Sequence, residues 1–208
     1  SRSAGTDAVE KGRGKMILRK TAAFLLTAAL LVCGVFLAGK AVERFYQKAY
    51  PTGYAQLVEQ YAEENGLDPA LVYAVIRTES SFRPLAQSSV GARGLMQLTE
   101  ETFDWVAFRM DDQSGTTFED LFDPEINIRY GTFLLKELLD QFGSENNALC
   151  AYHAGWGNAK KWLADPQYAP DGKTIETIPF ADTRGYVQKV LDTKETYQKL
   201  YQMNGQGG

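Results

Sequence analysis

One carboxylate stands out by its placement. Glu79 lies in the stretch R-T-E-S-S-F-R-P-L-A-Q-S-S-V-G-A-R-G-L-M-Q-L, which runs from Arg77 to Leu98. On helical spacing, Val72, Ile76 and Glu79 fall at i, i+4 and i+7, and Leu71, Val75 and Glu79 at i, i+4 and i+8. The carboxyl therefore leaves its helix on the apolar stripe. Burial there disfavours the charged form and raises a carboxyl pKa. The partial negative charge of a helix C-terminus pushes the same way. A carboxyl kept protonated near neutral pH is what a general acid needs. Helix geometry alone leaves a second reading equally open, in which Glu79 snorkels to solvent from a frayed helix end.

The elements that must position this group are helical. Leu57, Val58, Tyr61 and Ala62 share one face of a helix that Gly66 stops. Asp68 is placed to cap the next helix, with Pro69 in its first turn, where a missing N–H costs nothing. After Glu79 the chain passes Pro84, the Ser88-Ser89 pair, Gly91 and Gly94, so this part is a loop. The two glycines are read as places where the backbone turns tightly and packs closely. A third helix is expected from Leu95 to about Phe108, then a polar loop from Met110 to Thr117. Asp123 and Pro124 open a long helix that Gly143 ends, with Ile126, Tyr130, Phe133, Leu134, Leu138 and Gln141 on one face. Shorter helices follow over Asn146–His153 and Asn158–Leu163, separated by a turn at Ala154–Gly157. A loop from Ala164 to Thr177 leads to a last helix, Asp182 to about Tyr201. No strand ladder and no repeat emerges. The domain reads as mainly α.

Charge divides the chain. Residues 1–50 carry nine Lys/Arg against three Asp/Glu, and residues 51–208 thirteen against twenty-three. An acidic domain without a basic stripe argues against a nucleic-acid partner. Two cysteines, Cys33 and Cys150, with one histidine supply neither a disulfide framework nor a four-ligand zinc site, so no metal and no cofactor are expected.

The basic end holds eighteen uncharged residues, Thr21 to Ala38. That is close to the length that crosses a bilayer as a helix. Arg13, Lys15, Arg19 and Lys20 precede it, against Lys40 and Arg44 after it. The denser basic flank predicts a cytoplasmic tail (1–20), a transmembrane anchor (21–39), a juxtamembrane segment (40–54) with a helix over Val42–Tyr54 broken at Pro51 and Gly53, and an extracytoplasmic domain (55–202) with a short tail (203–208). A cleaved signal peptide competes, since Gly39-Lys40-Ala41 offers small residues, but the apolar run is long for a signal core. A lipid-modified Cys33 fits less well, because bulky Val32 precedes it.

The stretch E-S-S-F-R-P-L-A-Q-S-S-V-G-A-R-G-L-M-Q-L resembles the soluble lytic transglycosylase catalytic domain. So do D-P-E-I-N-I-R-Y-G, A-Y-H-A-G-W-G-N and I-E-T-I-P-F-A-D-T-R-G-Y-V-Q-K-V-L, in the family's order from about Leu57 to Tyr201. Each block alone is a weak signal; four at compatible spacing are a strong one. The resemblance implies a lysozyme-like helical fold that cleaves peptidoglycan glycan strands, with Glu79 as the sole acid/base. It places Ser88 and Gln97 along the cleft, Tyr152 and Tyr186 near the reacting sugar, and Glu176 among the substrate-binding groups. Read without the resemblance, Ser88 and Gln97 serve local loop hydrogen bonds, and the two tyrosines are core aromatics with a satisfied hydroxyl.

The implied chemistry needs one carboxylate where ordinary glycosidases use two. Glu79 would protonate the glycosidic oxygen between N-acetylmuramic acid and N-acetylglucosamine, then take the proton of the muramic C6 hydroxyl as a 1,6-anhydro ring closes. Two departures from the family pattern matter. His153 stands where the family usually has Asn, and a lone His beside a glycine turn reads as a structural hydrogen-bonder. Thr99-Glu100 replaces a common Met-Pro, which alters how the next helix starts. Two rival functions are a goose-type-like muramidase that lets water in, and a glycan-binding scaffold of an envelope-spanning machine.

Overall fold

The computed structural model describes residues 3–203. Among them all regular structure is helical, apart from isolated β-bridges joining Gln87 to Arg93 and Arg93 to Leu98. The chain divides into two units, Ser1–Ala49 and Tyr50–Gly208. The first is a single helix, α1 (Ser3–Ala49). Within it, Phe24–Ala49 is the one stretch among the described residues long and apolar enough to cross a membrane. Leu25, Leu30, Leu31, Val35, Phe36 and Leu37 along it are all exposed. The helix expected over Val42–Tyr54 is present as far as Ala49 and breaks before Pro51, but as the end of α1. Residues 42–49 continue α1, because no proline interrupts the ladder before Pro51 and Gly39 costs only about 1 kcal/mol in a helix.

The second unit is built around α3 (Pro69–Ser80). Asp68 caps it by accepting the Ala70 N–H at 2.8 Å, with Pro69 in its first turn, as the sequence predicts. From Ala70 to Ile76 every residue is at most 1% exposed. A helix apolar all round is a core helix, not a surface one. Each full burial of a Leu, Val or Ile here contributes about 1.5–3 kcal/mol. Around it stand α2 (Ala55–Glu64), α4 (Glu100–Arg109), α5 (Pro124–Phe142), α6 (Glu145–Ala154), α7 (Trp156–Ala164) and α8 (Ala181–Tyr201). Helix α3 packs on α8 and α2, while α5 packs on α2, α4 and α6, and α6 on α7 and α8. Tyr73 stacks on Tyr197 of α8 at 5.3 Å between ring centroids. Tyr197 and Tyr201 in turn donate to the carbonyls of Pro51 and Tyr50, tying the start of this unit to its last helix.

Two expectations about boundaries fail for physical reasons. Leu95–Leu98 is not the first turn of a helix. The Met96 N–H is taken by the side chain of Asn127 (2.7 Å), Gln97 adopts a left-handed φ of 52°, and Arg93 and Leu98 exchange a pair of backbone hydrogen bonds. Helix α4 starts at Glu100 instead, capped by Thr99, whose hydroxyl accepts the Thr102 N–H. Thr99 therefore starts the helix in its own way, by a side-chain cap. The second failure is the turn after α6. It is confined to Gly155 (φ 88°), and α7 begins at once with Trp156, two residues earlier than the sequence suggests. A 3₁₀ turn at Phe118–Phe122, also unforeseen, leads into the Asp123 cap of α5.

Candidate active site

Glu79 sits in the last turn of α3 and is only partly exposed. Directly after it the backbone turns hard. Ser81 (φ 52°) and Phe82 (φ 61°) are both left-handed, which costs non-glycine residues about 1–2 kcal/mol each. The turn is held by Ser80, whose hydroxyl donates to the Ile76 carbonyl and whose own carbonyl accepts the Arg83 Nε–H at 2.9 Å. Strain of this kind persists only where surrounding contacts determine it, and it clusters at functional sites.

Burial raises the Glu79 carboxyl to about pH 7, against the opposing pull of the Tyr186 hydroxyl and the Lys189 charge, both on α8. The reading in which Glu79 points freely to water is thus disfavoured by its surroundings. Tyr152 of α6 also feels the Glu79 charge; burial first, then that charge, hold both tyrosine hydroxyls well above their ordinary pKa. The two tyrosines differ in what their protons do. Tyr152 Oη donates to the Met96 carbonyl at 2.6 Å, so its proton is committed to the protein. Tyr186 Oη is buried and reaches good hydrogen-bond geometry with no protein group, although it lies close enough to Glu79 to favour the carboxylate. Its proton is the available one.

The loop after Glu79 is tied to itself and to α5. Ser88 Oγ accepts the Ala92 N–H at 3.1 Å while the two backbones exchange a further bond, closing the turn over Gly91. A hydroxyl that accepts still has its own O–H to give. Gln97 Nε2 donates to the carbonyls of Ala86 and Gly94, so this amide braces the loop. Asn127, wholly buried in α5, accepts the Met96 N–H and donates to the carbonyls of Arg93 and Leu121. Gly94 is the glycine this arrangement demands: φ is 77°, and a Cβ would stand 2.0 Å from Asn127 Nδ2 and 2.3 Å from the Leu121 oxygen. Gly91 needs only its left-handed φ of 84°, since a Cβ there would meet open space.

Glu176 stands apart from this group. It is exposed on the segment between α7 and α8, its backbone N–H bonded to the Tyr168 carbonyl at 2.9 Å. That segment is pinned by a second buried asparagine. Asn147 of α6 donates to the carbonyls of Phe142 and Lys173 and accepts the Ile175 N–H. So the structure gathers Glu79, Tyr152 and Tyr186 and binds Ser88 and Gln97 into the adjoining loop, while Glu176 lies on a different one.

Sequence reasoning missed the groove that opens beside Tyr152. It has a volume of about 430 Å³ and is walled by Trp105, Trp156 and Tyr152, with Glu101 and Thr102 at the start of α4. Trp105 and Trp156 lie 5.9 Å apart, and Phe142 meets Trp156 edge-on at 5.1 Å. The signal was the tryptophan inside A-G-W-G, whose ring faces the groove because α7 starts immediately after Gly155. No group of three His, Cys, Asp or Glu among the described residues is arranged to hold a metal.

The helical domain thus ends its core helix on one hard-to-ionise carboxyl, beside two tyrosines. The fold matches the 70 kDa soluble lytic transglycosylase of Escherichia coli with a TM-score of 0.69 and 31% identity, covering 75% of this chain and 26% of that one. It matches an inactive Glu-to-Gln mutant of lytic transglycosylase Slt from Pseudomonas aeruginosa with a TM-score of 0.67 and 34% identity, over 76% and 26% of the respective chains. By sequence the chain is 34% identical over 159 residues to the soluble lytic murein transglycosylase of Escherichia coli K12, 74% of this chain and 24% of the relative. It is 32% identical over 167 residues to the membrane-bound lytic murein transglycosylase C of Yersinia enterocolitica, 70% and 47%. The chain belongs to the transglycosylase SLT domain family, whose pattern matches residues 56–175. It spans about a quarter of the length of the soluble relatives it matches.

Proposed function

We propose that this chain is a membrane-anchored lytic transglycosylase of peptidoglycan. It cuts the β-1,4 bond from N-acetylmuramic acid to N-acetylglucosamine and leaves a 1,6-anhydromuramic end. The observation that carries this is a single carboxyl, Glu79, raised to about 7 at the end of a buried helix and faced by the buried hydroxyl of Tyr186, which no other protein group engages. The named activity of the relatives supports the same reading.

Glu79 gives its proton to the glycosidic oxygen as the bond to the muramic C1 breaks. The sugar's own N-acetyl oxygen shares the positive charge that develops at C1. The Glu79 carboxylate then takes the proton of the C6 hydroxyl, and O6 bonds to C1 to close the ring. The proton returns to its starting place. A pKa near the working pH suits a group that must be acid and base in turn. Tyr186, with a proton to give, steadies the carboxylate between the two steps. Ser88 and Gln97 shape the cleft, Tyr152 holds its floor through Met96, and Glu176 meets the glycan at its rim.

The apolar stretch of α1 anchors the enzyme, with the basic residues Arg13, Lys15, Arg19 and Lys20 on the cytoplasmic side and the catalytic unit outside. An alkaline phosphatase fused after Met203 is then active; an inactive fusion, with a cytoplasmic reporter active in its place, reverses the topology.

Glu79→Gln keeps the shape and removes the proton, and cell-wall cleavage should fall by about 10²–10⁴-fold, the usual worth of a general acid. Equal clearing by wild type and variant refutes the assigned acid. Mass spectrometry of the released muropeptides tests the outcome, since the anhydro product is one water lighter. Hydrolysis needs a second carboxylate to hold water, and Glu101 is the carboxylate on the groove wall. Reducing ends that vanish in Glu101→Gln would establish the muramidase instead.

A further inference from the structure

The chain's one histidine is placed to act on the site without entering it. His153 occupies the last turn of α6, and its ring lies on the ring of Tyr186 at 4.4 Å between centroids and 30° between planes. Its Nδ1 makes a 3.0 Å hydrogen bond with the hydroxyl of Thr183. Thr183 and Tyr186 are one turn apart on the buried face of α8, so the imidazole spans both. The far end of Tyr186 is the uncommitted hydroxyl beside Glu79.

A tyrosine turns about two side-chain bonds, and a ring contact on one face with an anchored neighbour removes much of that freedom. Among the described residues no protein group other than Glu79 engages this hydroxyl. We propose that His153 is a positioning residue: stacked on Tyr186 and moored to Thr183, it holds the Tyr186 hydroxyl against the Glu79 carboxyl. The assignment rests on Glu79 being the acid/base. It gives a task to the position at which this chain departs from its family's usual asparagine, whose smaller amide has no ring to stack.

The chemistry of the imidazole agrees. Burial lowers its pKa below the ordinary histidine value, against the opposing pull of Asp182, so the ring is neutral at and above neutral pH. A neutral ring covers the tyrosine without adding a full positive charge beside Glu79, where Lys189 already acts.

The test is a double-variant cycle on the full chain, using soluble uncrosslinked glycan strands as substrate. His153→Ala should lower kcat by about 10-fold with KM unchanged, the size of loss expected when a catalytic group drifts by a fraction of an ångström. Tyr186→Phe, which keeps the stack but removes the hydroxyl, should lower kcat at least as much. In the double variant the losses should not multiply, because His153 acts only through that hydroxyl. Thr183→Val removes the mooring with little change of shape, and run against Tyr186→Phe it reads the same coupling if His153→Ala does not fold. A folded His153→Ala with wild-type kcat, or losses that multiply in the double variant, overturns the assignment and leaves Glu79 untouched. An active Glu79→Gln, measured alongside, would instead remove the reading beneath it.

Discussion

Two buried asparagines, Asn127 in α5 and Asn147 in α6, do the same kind of work in different places. Each lies in a helix, is wholly buried, donates to two backbone carbonyls and accepts one backbone N–H from a neighbouring loop. Each thereby replaces water as the partner of loop backbone that could not otherwise be buried. The difference lies in what the loops carry. Asn127 grips Arg93–Met96, whose Met96 carbonyl receives the Tyr152 hydroxyl next to Glu79. Asn147 grips Lys173–Ile175, next to exposed Glu176. The first contact is fitted so closely that only glycine is possible at position 94; no glycine is squeezed in the second. Tight fit thus follows nearness to the carboxyl.

The comparison breaks most sharply at Gly94. Gly94→Ala forces a Cβ into both Asn127 and the Leu121 carbonyl at a left-handed φ, and should cost about 3–5 kcal/mol in chemical unfolding. A loss below 1 kcal/mol would show the grip to be loose. Asn127→Ala and Asn147→Ala come next. Each removes three hydrogen bonds to the backbone, and each should lose roughly 2–4 kcal/mol. Their kinetics should part: Asn127→Ala lowers kcat on glycan strands, whereas Asn147→Ala raises KM and spares kcat. Identical kinetic defects in the two would erase the distinction drawn here.

A smaller effect is read in stability against pH. Glu79 titrates near 7 when folded against 4.5 for a free carboxyl, so the folded state holds its proton more tightly. Its contribution is complete below pH 4.5 and is lost as pH rises through 7. Glu79→Gln does not titrate and should gain about 2–3 kcal/mol over wild type between pH 5 and pH 8 in urea unfolding. Parallel pH curves for the two proteins would mean that the carboxyl is not held neutral. Cleavage by the wild type should decline over the same upper range, as the acid is lost.

Much of this was legible in the residues. Asp68-Pro69 and Asp123-Pro124 mark helix starts by local chemistry, and Gly143 an end, so α3 and α5 fall where the pattern puts them. Glu79 on the stripe of Val72 and Ile76 announced a carboxyl in apolar company. What was not legible depended on contacts distant in sequence. Leu95-Met96 looks like the first turn of a helix because its apolar pair is helical in spacing, and only Asn127, thirty-one residues on, takes the N–H that such a turn would use. Asn127 and Asn147 themselves look like ordinary polar residues in helices. The groove wall of Trp105 and Trp156 needed both the short Gly155 turn and the packing of α4 and α5, which no single block of sequence contains.

The contacts around Glu79 also form a closed circuit. From Glu79 the chain runs to Met96, Met96 holds Tyr152, Tyr152 is followed in α6 by His153, His153 lies on Tyr186, and Tyr186 faces Glu79 again. A ring of this kind has no free end at which to loosen. Warming should raise the catalytic constant smoothly until the unit melts, and activity and fold should then vanish together at one temperature.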